Sequence, residues 1–261
     1  MTDAYTVKEK ISGMGMFFWI NLDAEFDRRE HMNSLFDEYG IENTRIPAID
    51  ARGSNDVTGM IIGTLPSTVT QVELGCTVSH LKAINHFYEE TELDHAIICE
   101  DDILFDTVQY WPFTWKEFIS KAPYDWDVLQ CAITSTETLA VNIHPRRIND
   151  FCSAFYVITR HHAKKLLRAH KIGNKFKLDQ GIKPRATSEE LIYNSGKTYS
   201  IPLFVYRCDF VSGIHQEHVE TLHKPNFDRT INFWKNRPPE LGADQLLDYD
   251  FYGHWQSLVG G

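Results

Sequence analysis

With 261 residues, 43% of them hydrophobic and 24% charged, the chain can bury a substantial core in an ordinary globular fold. A formal net charge of −10 excludes a broad basic surface for nucleic acid or anionic lipid. It also means that a phosphate ligand must be met by local positive charge: a bound cation, a few arginines or helix N-termini.

The N-terminal segment 1–13 is polar and reads as a flexible lead-in. Met16 to Leu22 is a short apolar run of the kind found in buried parallel strands. The apolar stretch from Met14 is too short to span a bilayer and runs into Asp23, Glu25 and Asp27 rather than a small-residue cleavage site. A helix should follow, with Asp27 and Glu30 at capping-box spacing, Met32, Leu35, Phe36 and Tyr39 on one face, and Gly40 at its end. Arg45 to Asp50 reads as a strand that Pro47 confines to an edge or a bulge. Residues 51–70 form a loop, and a second helix starts near Val72 with Leu81, Ile84 and Tyr88 along one side.

Asp94 to Cys99 is the next strand and ends at Glu100-Asp101-Asp102. Further strands are expected at Asp127–Ile133, Ser153–Ile158 and Thr198–Tyr206. Thr159 caps a helix whose apolar side is Ala163, Leu166 and Leu167. Strand and helix alternate through the first hundred residues, which implies right-handed βαβ units and an α/β fold with a mostly parallel central sheet flanked by helices. There is no internal repeat and no low-complexity linker. One domain is expected over 1–261, closed by an irregular tail over 215–261. Five cysteines (Cys76, Cys99, Cys131, Cys152, Cys208) stand far apart with no C-x-x-C. That spacing indicates buried reduced thiols rather than a disulfide framework or a zinc site, and with them a cytoplasmic protein.

Ligands of open α/β sheets bind beyond the carboxyl ends of the strands, which is where the acidic triplet stands. Three adjacent carboxylates repel one another unless a cation or hydrogen bonds compensate, and oxygen ligands suit a hard divalent ion, Mg²⁺ or Mn²⁺, shared with phosphates. Strand alternation would turn Glu100 and Asp102 one way and Asp101 the other. Asp102 and Glu100 are therefore the expected metal ligands, and Glu100 and Asp101 are also candidates for donor contacts. Asn21 and Asp23 end the first strand, where they could meet a base or ribose or simply cap the next helix. Arg28 could complement a diphosphate. Ser79 and His80 could bind the nucleotide or merely satisfy local backbone groups. In the second half, Glu189 and Glu190 are candidate general bases, and His215, His218 and His223 are scattered histidines of which His215 could complete a metal site.

These pieces, in order, resemble glycosyltransferase family 25, the group that includes lipooligosaccharide and collagen galactosyltransferases. The resemblance is carried by Phe18-Trp-Ile-Asn-Leu-Asp23 with Asp27-Arg28-Arg29, then Arg45-Ile-Pro-Ala-Ile-Asp50, Glu73-Leu-Gly-Cys-Thr-Val-Ser-His80 and Ile97-Ile-Cys-Glu-Asp-Asp102. It continues through Trp126-Asp-Val-Leu129, Ala154-Phe-Tyr-Val-Ile-Thr159 and Ala163-Lys-Lys-Leu-Leu167. It implies a GT-A type, Rossmann-like fold. It also implies inverting transfer of a hexose, often galactose, from a UDP-sugar to a hydroxyl of a glycan or protein acceptor. With these comes a Mn²⁺ or Mg²⁺ requirement, the triplet standing where the family has an Asp-x-Asp-like motif. Members commonly carry an Asp, often followed by Glu, before an apolar pair in the second half, whereas this chain has Ser188-Glu189-Glu190-Leu191. The competing readings are a sugar-nucleotide hydrolase, a nucleotidyltransferase and a non-catalytic carbohydrate-binding domain. Residues 21–29 lack the glycine-rich loop a nucleotidyltransferase would show, and an acidic strand end is not what a binding module needs.

Overall fold

A computed structural model of the chain describes residues 5–250 other than 54, 56, 65, 66, 68, 137, 180–186 and 210–217, together with the backbone of 254–255. The first element is a helix, α1 (Val7–Ile11), started by a capping box between Thr6 and Glu9. The segment expected to be a flexible lead-in is thus partly ordered, and α1 buries Lys10 and Ile11. Then come β1 (Phe17–Asn21), α2 (Phe26–Tyr39), β2 (Asn43–Pro47), β3 (Ile61–Ile62), α3 (Gln71–Glu90), β4 (His95–Glu100) and β5 (Ile103–Leu104). The chain continues through α4 (Trp115–Lys121), β6 (Val128–Ala132), β7 (Leu139–Ala140), β8 (His144–Pro145), β9 (Phe155–Thr159) and α5 (Arg160–His170). The last described elements are β10 (Lys171–Ile172), β11 (Lys175–Lys177), α6 (Ser188–Tyr193), β12 (Thr198–Tyr206), α7 (Lys224–Lys235), α8 (Ala243–Leu246) and β13 (His254–Trp255).

The main sheet runs β2-β1-β4-β9-β6-β12-β5, with β8 alongside β12. β2, β1 and β4 are parallel, as are β6 and β12, while β9 runs antiparallel between β4 and β6. The sheet is therefore mostly parallel, as its βαβ alternation predicts, with β9 reversed inside it and the short β5 and β8 reversed beside β12. β2 lies at the edge, which is the place Pro47 allows.

Side-chain alternation builds two cores, one on each face. Phe17, Trp19, Ile97, Cys99, Phe155 and Val157 join Met32, Leu35 and Phe36 of α2, Trp115 and Phe118 of α4, and Phe233 and Trp234 of α7. Phe18, Ile20, Ala96, Ile98, Tyr156 and Ile158 join the apolar sides of α3, α5 and α6. Strands buried on both faces read as continuous apolar runs, which is why β1 and β4 were legible without any alternation in polarity. α2 ends at Gly40 in the left-handed conformation, as expected, but starts at Glu25 with no side-chain cap, so the Asp27–Glu30 box does not form. Boxes do form at α3, between Thr70 and Glu73, and at α4, between Thr114 and Glu117.

The C-terminal tail is corrected most. A π-turn over Val219–His223 leads into α7, whose Trp234 is buried and donates Nε1–H to the Pro202 carbonyl at 2.7 Å. Pro202 lies within β12, where the register with β6 shifts between Ser200 and Phe204. A proline cannot donate to the ladder, and the irregularity bends the strand. The end of β12 thereby pairs with β5, and Arg207 N–H donates to the Asp102 carbonyl at 2.8 Å.

Candidate functional site

The parallel strands end along one edge of the sheet, and the antiparallel β9 begins there, so that edge collects loops from six strands. A cleft of about 490 Å³ opens along it. It is lined by the ends of β1 and β4, the loop after β2, one face of α3, residues 151–154 before β9, the start of α6, Tyr206–Cys208 and the π-turn. Seven carboxylates (Glu25, Asp50, Glu73, Glu100, Asp101, Asp102, Glu189) and three arginines (Arg28, Arg52, Arg207) line it among the described residues. The cleft is thus net acidic, and it favours a cation over a bare phosphate.

Alternation along β4 sorts the triplet. Glu100 follows Ala96 and Ile98 to the α3 side, where His80 Nε2 lies 3.3 Å away and Ser153 Oγ donates at 3.1 Å. Asp101 follows Ile97 and Cys99 to the α2 side, where Arg28 (2.6 Å) and Asn21 Nδ2 (2.7 Å) donate to it. The turn after Glu100 ends the alternation, so Asp102 shares Arg28 with Asp101 through Oδ2 at 3.2 Å instead of turning back beside Glu100. Its other oxygen, Oδ1, is buried with no hydrogen-bond partner among the described residues. Burial pushes the Asp102 carboxyl up to about 8, with Glu100 adding to the rise and Arg28 opposing it. Burial also raises Asp101 against Arg28 and Asn21. At Glu100 burial acts upward too, but His80, Ser153 and Arg28 hold the carboxyl below its ordinary range.

Arg28, Ser79, His80, Glu100, Asp101 and Asp102 all line the cleft. Asn21 does not: it is buried, and its amide ties Asp101 to Arg45 and Arg29. Asp23 is exposed and paired with Arg45 at 2.5 Å, away from the cleft wall. Ser79 accepts from Ile49 N–H and donates to the Gly75 carbonyl, fastening α3 to the loop after β2. Gly75 permits that approach, since a Cβ there would lie 2.8 Å from Ala51 Cβ. The two glutamates part company. Thr187 caps α6 through the Glu190 amide and leaves the Glu190 side chain exposed, whereas Glu189 enters the cleft and accepts from Cys152 N–H at 2.5 Å. His215 lies outside the described residues, while His218 and His223 line the cleft.

Several contributors have no motif in the sequence. Cys152 carries a φ of 96°, a conformation unfavourable for a non-glycine residue. It is held there by Glu189 at its amide and by Tyr193 (2.9 Å) and Gln130 (3.0 Å) at its carbonyl. Tyr206 bridges Thr134 and His223 at 2.6 Å each, linking the π-turn to the sheet edge. Arg207 could have been found, because it follows a legible strand at the carboxyl edge.

Residues 14–181 match the family described as glycosyltransferase family 25 (LPS biosynthesis protein). The chain belongs to glycosyltransferase family 25. A "Glycosyltransferase 25 family member" of Drosophila melanogaster is 35% identical over 109 residues, which are 38% of this chain and 18% of that protein. "Procollagen galactosyltransferase 2" of Homo sapiens is 26% identical over 187 residues, 64% of this chain and 30% of that protein. "Procollagen galactosyltransferase 1" of Danio rerio is 27% identical over 186 residues, 64% of this chain and 31% of that protein. The matched stretch thus spans under a third of these relatives' length. In this family-25 chain the family match takes in the triplet, α3 and Cys152, and ends before Glu189, Tyr206 and the π-turn.

Proposed function

We propose that the protein is an inverting hexosyltransferase that moves galactose from a UDP-sugar to a hydroxyl of a glycan or protein acceptor, with Mn²⁺ or Mg²⁺ bound at the triplet. The observation that carries this reading is Asp102. A buried carboxylate oxygen without a partner, at the carboxyl edge of a sheet and in an acidic cleft, fits a hard cation. Asp102 would hold the ion through Oδ1, and Glu100, close enough for its charge to raise Asp102, would reach it from the α3 side; when bound, the ion would stabilise negative charge on the departing diphosphate. The galactose and the protein acceptor are supported by the names of the procollagen galactosyltransferase relatives. A cytoplasmic setting accords with five free cysteines, and no helix among the described residues is long and apolar enough to cross a membrane.

The chain's own residues divide the remaining work. Arg28 is committed to Asp101 and Asp102, so it holds the carboxylates in place and offsets their repulsion rather than clamping phosphate alone. His80 and Ser153 keep Glu100 ionised and oriented. Glu189 is the carboxylate suited to take the proton of the attacking hydroxyl, because it enters the cleft from the first turn of α6. The Cys152 amide fixes one of its oxygens at 2.5 Å.

A panel of UDP-, GDP- and CMP-sugars with Mn²⁺ tests the reading by nucleotide release. Release from UDP-galactose that rises on adding a galactosyl acceptor is expected. Equal release with and without every acceptor tried would make the enzyme a hydrolase, and no release from any donor would contradict the assignment.

A further inference from the structure

Cys76, His80 and Glu100 form a second donor set in the cleft. Their ligand atoms all lie within 4.8 Å of one another. Cys76 and His80 stand four residues apart on α3, so they share a face of the helix, and β4 delivers Glu100 to that same side of the sheet. A thiol, an imidazole and a carboxylate are the mixed donors that zinc takes, whereas Mg²⁺ and Mn²⁺ take oxygens. The wide spacing of the cysteines hid this, because the fold rather than the sequence brings Glu100 up to the helix.

Each of the three groups is backed by a hydroxyl. Tyr156 OH lies 3.1 Å from His80 Nδ1, Ser153 Oγ donates to Glu100 Oε1 at 3.1 Å, and Ser188 Oγ lies 3.9 Å from Cys76 Sγ. Ser153 and Ser188 are themselves bonded at 2.9 Å. Partners behind the ligands are what orient a zinc site and fix its histidine tautomer. His80 Nε2 lies 3.3 Å from the Glu100 carboxylate; with an ion between them, Nδ1–H would donate to Tyr156 and Nε2 would turn its lone pair to the ion instead of donating to Glu100.

We propose that Cys76, His80 and Glu100 bind one zinc-class divalent ion, with the fourth position open to the cleft. Binding deprotonates the Cys76 thiol and releases that proton to solvent. The site overlaps the hard-cation pair at Glu100, and its effect on the transfer reaction rests on the proposed function. Zinc and manganese therefore compete for one carboxylate, and zinc raises the manganese concentration that the enzyme needs.

Metal-stripped protein is titrated with Zn²⁺ against a chromophoric chelator, and separately with Co²⁺ while its spectrum is followed. One zinc per chain is expected, and loss of the thiolate ligand in Cys76→Ser should weaken it by at least the roughly tenfold to hundredfold that losing an outer-shell partner costs. Wild-type protein and Cys208→Ser should show a thiolate-to-cobalt charge-transfer band that Cys76→Ser lacks. The wild-type spectrum decides the matter even if Cys76→Ser folds poorly. Absence of the band, or equal zinc affinity in wild type and a folded Cys76→Ser, overturns the site. Zinc that binds as expected yet leaves the manganese requirement unchanged leaves this site standing and counts against Glu100 as a ligand in the transfer reaction.

Discussion

Asp102 sits in a position that costs stability while no cation is bound. Its carboxyl is pushed up to about 8 by burial and by Glu100, so the folded state holds a proton that the unfolded chain, with an Asp value of about 4, gives up. The stabilisation from this group is fully present below about pH 4 and is lost as pH rises through about 8. Asp102→Asn keeps the shape and removes the titration. In metal-stripped protein the variant should gain melting temperature relative to wild type as pH climbs from about 5.5 to about 8.5. A difference that does not change with pH would show that Asp102 is already ionised at no cost. Glu189 gives a second prediction at this scale. Removal of a general base costs on the order of 10²–10⁴ in rate, so Glu189→Gln should lower kcat by about that factor with donor KM little changed. Glu190→Gln, outside the cleft, should leave both alone. The sequence offered the two glutamates as equals; helix phase after the Thr187 cap separates them, and that phase was not legible without the helix start.

Elements explain why those residues meet. α3 is started by the Thr70–Glu73 box and can approach the loop after β2 only because residue 75 has no Cβ. Thr70→Ala should cost about 1 kcal/mol in urea unfolding. Gly75→Ala should cost roughly 1–3 kcal/mol and also weaken donor binding, because the displaced helix carries Ser79 and His80. Unchanged donor binding in a destabilised Gly75→Ala would mean that α3 does not set the cleft width. Much of this level was readable from the chain: the apolar runs of β1 and β4, Gly40 as a helix stop, Pro47 at an edge and Thr159 as a cap are all local signals. The direction of β9 was not, since an apolar run looks the same in either polarity. The missing Asp27–Glu30 box shows the same limit, because capping spacing recurs by chance and tertiary packing chose Glu25 instead.

Across the whole molecule, the cleft is closed by a segment whose sequence shows weak periodicity. α7 is held by Phe233 and Trp234 in the same core as Phe17 and Phe155, and the π-turn before it brings His218 and His223 to the site. Trp234→Ala should cost roughly 3–5 kcal/mol in unfolding, a penalty that an unpacked tail could not produce. That wall stayed hidden because its position depends on the bend at Pro202 and on long-range burial rather than on any local pattern. The triplet, by contrast, announced itself through charge at a strand end, and its whole setting, with Arg28 on one side and His80 on the other, follows from which face of the sheet each carboxylate takes. The central claim is that this setting binds a nucleotide diphosphate through a divalent cation. Thermal unfolding with UDP and Mn²⁺ together tests it most directly. At about a hundredfold excess over Kd, wild-type protein should gain about 2.7 kcal/mol, or roughly 5–10 °C, and Asp102→Asn should gain almost nothing. A shift of equal size in both proteins, or the same shift with UDP in EDTA, would contradict it.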